Sequence, residues 1–284
     1  MTTETATLLI SCRDQQGLVA KIANFIYSNG GNIINADHHT DLEVGLFLSR
    51  IEWQLDGFHL PKDLISPAFN AIAGQLDATY QLHFSTDVPK IAIWVSKQSH
   101  CLYDLLWRIQ AKELKAEVGM IISNHETLAP VAEQFDIPFH YIPITKENKQ
   151  QQEEKQLELL KEAGIELVIL AKYMQILSSN FVAQFPQVIN IHHSFLPAFI
   201  GAKPYHQAYR RGVKIIGATS HFVTQDLDAG PIIEQQVARI NHRDTVHDLI
   251  RKGKDLERFV LSRAVRLHLQ NRVLVYGNRT VVFA

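Results

Sequence analysis

Nowhere in this chain does an apolar run approach the ~20 residues that a bilayer-spanning helix needs, so no membrane partner is expected. No basic start followed by a sustained apolar core opens the sequence, so no secretory signal is expected either. Excess charge of one sign is also missing. The 28 Lys and Arg nearly balance 29 Asp and Glu, and a formal net charge of -1 gives no reason to expect nucleic acid or a charged surface as partner. Cysteine is scarce: Cys12 and Cys101 match no metal or redox spacing and read as two buried thiols of a cytoplasmic protein. No G-x-S-x-G elbow is present, which argues against a serine nucleophile of that type. The stretch 95–101, VSKQSHC, has no glycine, so a glycine-rich phosphate cradle is not expected there.

What remains is an ordinary globular composition, 46% hydrophobic, over 284 residues, long for one domain and comfortable for two. Residues 1–84 read as strand, helix, strand, strand, helix, strand. Strands are expected at 6–12, 32–40, 44–53 and 78–84. The helices are expected at 14–31 and 61–76, the first stopping at Gly30 and Gly31. This βαββαβ order is the ferredoxin-like arrangement. Residues 85–90 read as a linker.

From 91 to 284 apolar strands alternate with helices, which predicts a Rossmann-like, mostly parallel α/β sheet covered on both faces. Strands are expected at 90–96, 117–124, 139–144, 166–171 and 188–192, with two more over 213–224 and 231–240. A long helix over 245–272, interrupted at Gly253, and a hairpin turning at Gly277 and Asn278 close the chain. The polar run 149–155 is expected to be a solvated helix face.

The stretch 188–197, VINIHHSFLP, carries the chemistry. Strand alternation turns Asn190 and His192 to one side, at the carboxyl end of a strand where open α/β sheets bind ligands. Farther on, LDAGPII places Asp228 before a Gly-Pro turn. An amide, an imidazole and a carboxylate together can polarise a carbonyl, hold an oxyanion and handle a proton. Each also has a plain structural reading: Asn190 and His192 as hydrogen-bonded scaffold, Asp228 as a turn residue. Alternation sends His193 to the opposite face as scaffold. His192, His206 and His221 fit no known ligand spacing, so no metal is expected.

The run 188–223 followed by LDAGPII resembles the formyltetrahydrofolate-dependent transferase and hydrolase superfamily, whose signature is an Asn, a His two residues later, and an Asp before Gly-Pro. The doubled histidine with SFLPAF, the PYHQA segment, SNH at 123–125, AKYMQIL at 171–177 and VLVYGNRTVV resemble its deformylase branch, over nearly the whole chain. The resemblance implies that Asn190, His192 and Asp228 are catalytic. It implies that a folate is held by two loops, one of Met174, Gln175, Ile176 and Leu177, the other of Val223, Thr224, Gln225, Asp226 and Leu227. Core packing is the alternative for Met174, Ile176 and Leu177. His125 is a candidate for closing the acceptor side.

Residues 1–84 resemble an ACT domain, a regulatory module that commonly binds amino acids at its interfaces. On that resemblance Asp14, Gly17 and Leu18 at a helix N-terminus, with Asn32 facing the same site, would hold an effector such as glycine or methionine. Asp14 as a plain helix cap is the alternative. The resemblance further implies a homo-oligomer, no permanently bound cofactor, and formyltetrahydrofolate as substrate. With water as acceptor, the products are tetrahydrofolate and formate, which would balance one-carbon folate pools and feed purine synthesis. Transfer of the formyl group to a small amine, and an amino-acid sensor with an inert catalytic half, stand as alternatives.

Overall fold

A computed structural model of the chain describes residues 3–198 and 204–283. The end of the SFLPAF segment and the residues up to 203 lie outside the described residues. The chain divides into two compact units, the first comprising Met1–Asp87, Asn271–Tyr276 and Val281–Ala284, the second Val88–Gln270 and Gly277–Thr280.

The first unit follows the expected order: β1 (Thr5–Arg13), α1 (Leu18–Ser28), β2 (Asn32–Asp41), β3 (Leu46–Gln54), α2 (Lys62–Leu76), β4 (Thr79–Phe84). Its strands pair antiparallel in the order β2-β3-β1-β4. Alternation along β1 divides the faces. Ala6, Leu8, Ile10 and Cys12 join Ile22 and Ile26 of α1 and Ile65 and Phe69 of α2 in one core. Leu9 and Leu48 point to the other face and pack with Phe283, Leu274 and Val281. The terminal hairpin was expected to belong to the second domain. Its arms instead cluster with the first unit, because Leu9 and Leu48 would otherwise face water.

The second unit begins with β5 (Lys90–Val95), α3 (His100–Gln110), β6 (Glu117–Ser123), α4 (Ala129–Gln134), β7 (Phe139–Tyr141), α5 (Lys149–Glu162) and β8 (Leu167–Leu170). It continues with α6 (Ser179–Gln184), β9 (Val188–His192), α7 (Pro204–Arg211), β10 (Ile215–Phe222), β11 (Ile232–Arg239) and α8 (Val246–Leu269). The hairpin β12 (Val273–Tyr276) and β13 (Arg279–Val282) ends the chain. Seven strands form one sheet in the order β11-β10-β9-β8-β5-β6-β7. The run from β9 to β7 is parallel, and β10 is antiparallel to both neighbours. The chain winds outward one way from β5 through β6 and the other way from β8 through β9. The switch point, where such sheets bind ligands, therefore lies at the carboxyl ends of β5 and β8.

Two local expectations change, and two short helices, α6 and α7, are added, too brief to leave a periodic pattern in sequence. Within the polar run 149–155, Glu153 is buried, and its Oε1 accepts the Ser178 N–H at 2.9 Å. Helix α8 runs unbroken through Gly253. The glycine is a packing residue, since a Cβ there would lie 2.1 Å from the Tyr205 hydroxyl.

Candidate active site

Strand β9 delivers Asn190 and His192 to one side, as alternation predicts, between the buried Val188, Ile189 and Ile191. Because β10 runs antiparallel beside it, His221 stands directly opposite Asn190 and Thr219 opposite His192. His221 Nδ1 lies 2.8 Å from the Phe222 carbonyl oxygen. A carbonyl only accepts, so Nδ1 carries a proton, and in the neutral ring Nε2 accepts from the Asn190 amide at 3.2 Å. That contact orients the amide and leaves its second N–H for an incoming oxygen.

Asp228 closes the constellation. Its Oδ2 is 3.2 Å from His192 Nδ1 and its Oδ1 is 3.7 Å from His221 Nε2. It sits in left-handed backbone, φ 54°, an uncommon conformation for a side-chain-bearing residue and one that collects at functional sites. The turn is pinned by Gly230, where a Cβ would meet the Phe222 carbonyl oxygen at 1.9 Å. Burial alone would raise the Asp228 pKa. The neighbouring His192, 3.2 Å away, and His221 outweigh it and hold the carboxyl well below the usual carboxylate range. With Nδ1 turned to Asp228, the other edge of the His192 ring, Nε2, is buried and finds no hydrogen-bond partner among the described residues.

A second polar cluster lies behind these residues, and sequence reasoning did not find it. His193 was expected on the opposite face. It falls just past the end of β9, where alternation lapses, and its ring stacks on His192 at 5.0 Å and 11°. Its Nδ1 is 2.9 Å from Nζ of Lys172, the second residue after β8. Lys172 in turn lies 3.2 Å from Oε2 of Glu257 on α8. His100 Nε2 also reaches that oxygen, at 2.7 Å, and the Tyr205 hydroxyl donates to Oε1 at 2.6 Å. His100, Cys101 and Glu257 have metal-ligand chemistry and lie within ligand distance of one another. However, both oxygens of Glu257 are engaged by protein donors, and burial pushes the Cys101 thiol pKa strongly up.

Of the two expected folate loops, 174–177 follows β8 at the switch point, and 223–227 follows the antiparallel β10. Met174 and Ile176 are exposed at the end of β8, against the core-packing alternative, whereas Leu177 is buried in the core as that alternative has it. Gln175 is partly exposed between them. In the other loop Gln225, Asp226 and Leu227 are exposed and Thr224 partly so, and Val223 packs against the core. Two backbone donors in these loops already serve the scaffold. Met174 N–H donates to Ser96 Oγ at 2.9 Å, and Val223 N–H to the Val188 carbonyl at 2.9 Å. His125 follows β6, three strands from β9 and so roughly 14 Å away along the sheet.

In the first unit, Gly17 is the residue before α1, at φ 83°, and Asp14 is exposed without capping that helix. Leu18 is buried in the core of the first unit. Asn32 does not share a site with Asp14 inside one chain. Asn32 pairs opposite Gln54 and Arg13 opposite Leu46, the two ends of β3, roughly 26 Å apart at strand rise.

Comparison with known proteins agrees with this geometry. The formyl transferase family profile matches residues 89–265, the span that contains every residue of the constellation. A formyltetrahydrofolate deformylase of Synechocystis is 64% identical over 99% of both chains. That of Bacillus subtilis is 48% identical over 97% of this chain and 93% of its own. The crystal structure of a formyltetrahydrofolate deformylase from Pseudomonas syringae superposes with a TM-score of 0.98 at 44% identity, covering 100% of this chain and 96% of that one. With the sheet and the full-length identity in agreement, the chain belongs to the formyltetrahydrofolate deformylase family.

Proposed function

We propose that this protein hydrolyses 10-formyltetrahydrofolate to tetrahydrofolate and formate, with Asn190, His192 and Asp228 as the catalytic residues. The observation that carries the reading is the 3.2 Å contact of Asp228 with His192 Nδ1, which leaves Nε2 of the same ring buried and unpaired among the described residues. Water adds to the formyl carbon as His192 Nε2 takes its proton. Asp228, with its lowered pKa, is ionised at neutral pH and too weak a base to keep that proton. It stabilises the imidazolium instead. The carbonyl electrons move onto oxygen, where the free amide N–H of Asn190 supports them. Collapse breaks the C–N bond, the nitrogen takes the proton from His192, and formic acid leaves, ionising to formate and a proton in water.

The exposed Met174, Ile176 and Leu227 are the apolar contacts proposed for the folate ring system. The glycine-free turn after β5 supports water over a phosphorylated amine as acceptor. For the first unit we keep the ACT-like reading, with glycine or methionine as effector. The ends of β3 that pair with Arg13 and Asn32, roughly 26 Å apart at strand rise, support a site formed between copies of a homo-oligomer rather than within one. A cytoplasmic role in balancing folate pools and supplying formate for purine synthesis follows from the same reading.

Formate release from formyltetrahydrofolate without added amine tests the assignment, repeated with glycine or methionine for the effector. Asp228→Asn and His192→Ala should each lower kcat by about 10²- to 10⁴-fold. Unchanged rates in both would reject the catalytic set, and strict dependence on an added amine would favour the transferase.

A further inference from the structure

Glu257 is a carboxylate with 1% of its surface exposed, and side chains from separate elements converge on it: His100 of α3, Tyr205 of α7 and Lys172 after β8. Lys172 is itself 5% exposed and holds a left-handed backbone, φ 67°. Strain of that kind is retained where the surroundings over-determine it. Here it accompanies an ammonium placed between two partners, Glu257 at 3.2 Å and His193 Nδ1 at 2.9 Å. An ammonium has donors and no acceptor, so His193 Nδ1 is the lone-pair nitrogen and the ring's proton sits on Nε2. The ring is then neutral, and it lies flat against His192.

We infer that Lys172 is a positioning residue for hydrolysis: anchored by Glu257, it locks His193 as a neutral, Nε2-protonated ring against His192, so that His192 alone of the doubled histidine carries the reaction's proton. This rests on the assignment of His192 above. The charged and titratable groups facing His193 are Lys172, His192, Asp228 and Glu257, with the Tyr205 ring 6.3 Å away and His100 behind Glu257. Burial, then the charges of Lys172 and His192, keep the His193 pKa down at about 4, while Glu257 and Asp228 pull the other way. Removing Lys172 alone takes away a charge that opposes protonation of His193 and keeps the Glu257 charge that favours it, so His193 takes up a proton more readily. Removing the Glu257 charge does not.

Histidine side-chain 15N NMR on the full chain decides the point without reference to activity. The wild type should show His193 with a bare Nδ1 and a protonated Nε2, neutral down to near pH 4. In Lys172→Met the His193 ionisation should move up from about 4, and in Glu257→Gln it should not rise. A wild-type His193 that is Nδ1-protonated, or cationic at neutral pH, overturns the inference even if formate is released. In kinetics, Lys172→Met should lose kcat with falling pH, about tenfold at one unit below the new His193 pKa, with KM little changed. A His193→Gln background should abolish that pH-dependent loss. An equal loss at every pH, or the same loss in the His193→Gln background, would show that Lys172 only supports the fold. If the wild type released no formate, the functional assignment would fall and the NMR result would still stand.

Discussion

At neutral pH His193 is uncharged, and that gives the stability of the protein a pH signature. Its folded pKa is lowered from 6.5 to about 4, chiefly by burial and then by the Lys172 charge. Between those values the unfolded chain binds a proton that the native ring refuses. Stability therefore rises with pH across the window and is lost as pH falls from 6.5 toward 4. The contribution is on the order of 3 kcal/mol at most. Urea denaturation at pH 4.5 and pH 7 should show a smaller difference in His193→Gln than in the wild type; equal differences would count against it. At this scale Asn190, His192 and Asp228 were legible, because the spacing along one strand and a Gly-Pro turn are local signals. His221, Lys172 and Glu257 were not. His221 acquires its role from the reversed pairing of β10, and Lys172 and Glu257 meet only through the packing of α8.

Helix α8 shows how an element can contradict the propensity of its own residues. Glycine in a helix interior costs about 1 kcal/mol against alanine, so Gly253→Ala should stabilise the protein on propensity alone. The structure argues the reverse, since the new Cβ would lie 2.1 Å from the Tyr205 hydroxyl, which holds Glu257. Overpacking of this kind typically costs about 1–3 kcal/mol and should exceed the propensity gain. We expect Gly253→Ala to melt lower and to release formate more slowly, and a variant more stable than the wild type would contradict the packing account. The amino end of α8 behaves as sequence rules anticipate: Thr245 and Asp248 form a capping box. Strands and most helices were legible element by element from apolar periodicity. The break expected at Gly253 failed because what the glycine accommodates is a ring from another helix.

At the scale of the whole molecule, the end of the chain covers the second face of the first unit's sheet. Phe283 is buried with Leu9 and Leu48, residues more than 200 positions away in sequence. Phe283→Ala should cost about 3–5 kcal/mol, the usual range for a buried phenylalanine. Limited proteolysis should then cut within residues 3–87 sooner than in the wild type, and an unchanged cleavage pattern there would show that the hairpin is dispensable. The sequence by itself determined the two-part architecture, the strand-end placement of Asn190 and His192 and the family, because periodicity, strand alternation and contiguous motifs are local. Tertiary structure alone decided where the terminal hairpin packs, why Asn32 and Asp14 stand at opposite ends of a sheet, and which buried charges surround the His192 imidazole. Each of these depends on groups far apart in the chain, whose meeting is set by strand pairing and helix packing and leaves no periodic trace in the order of residues.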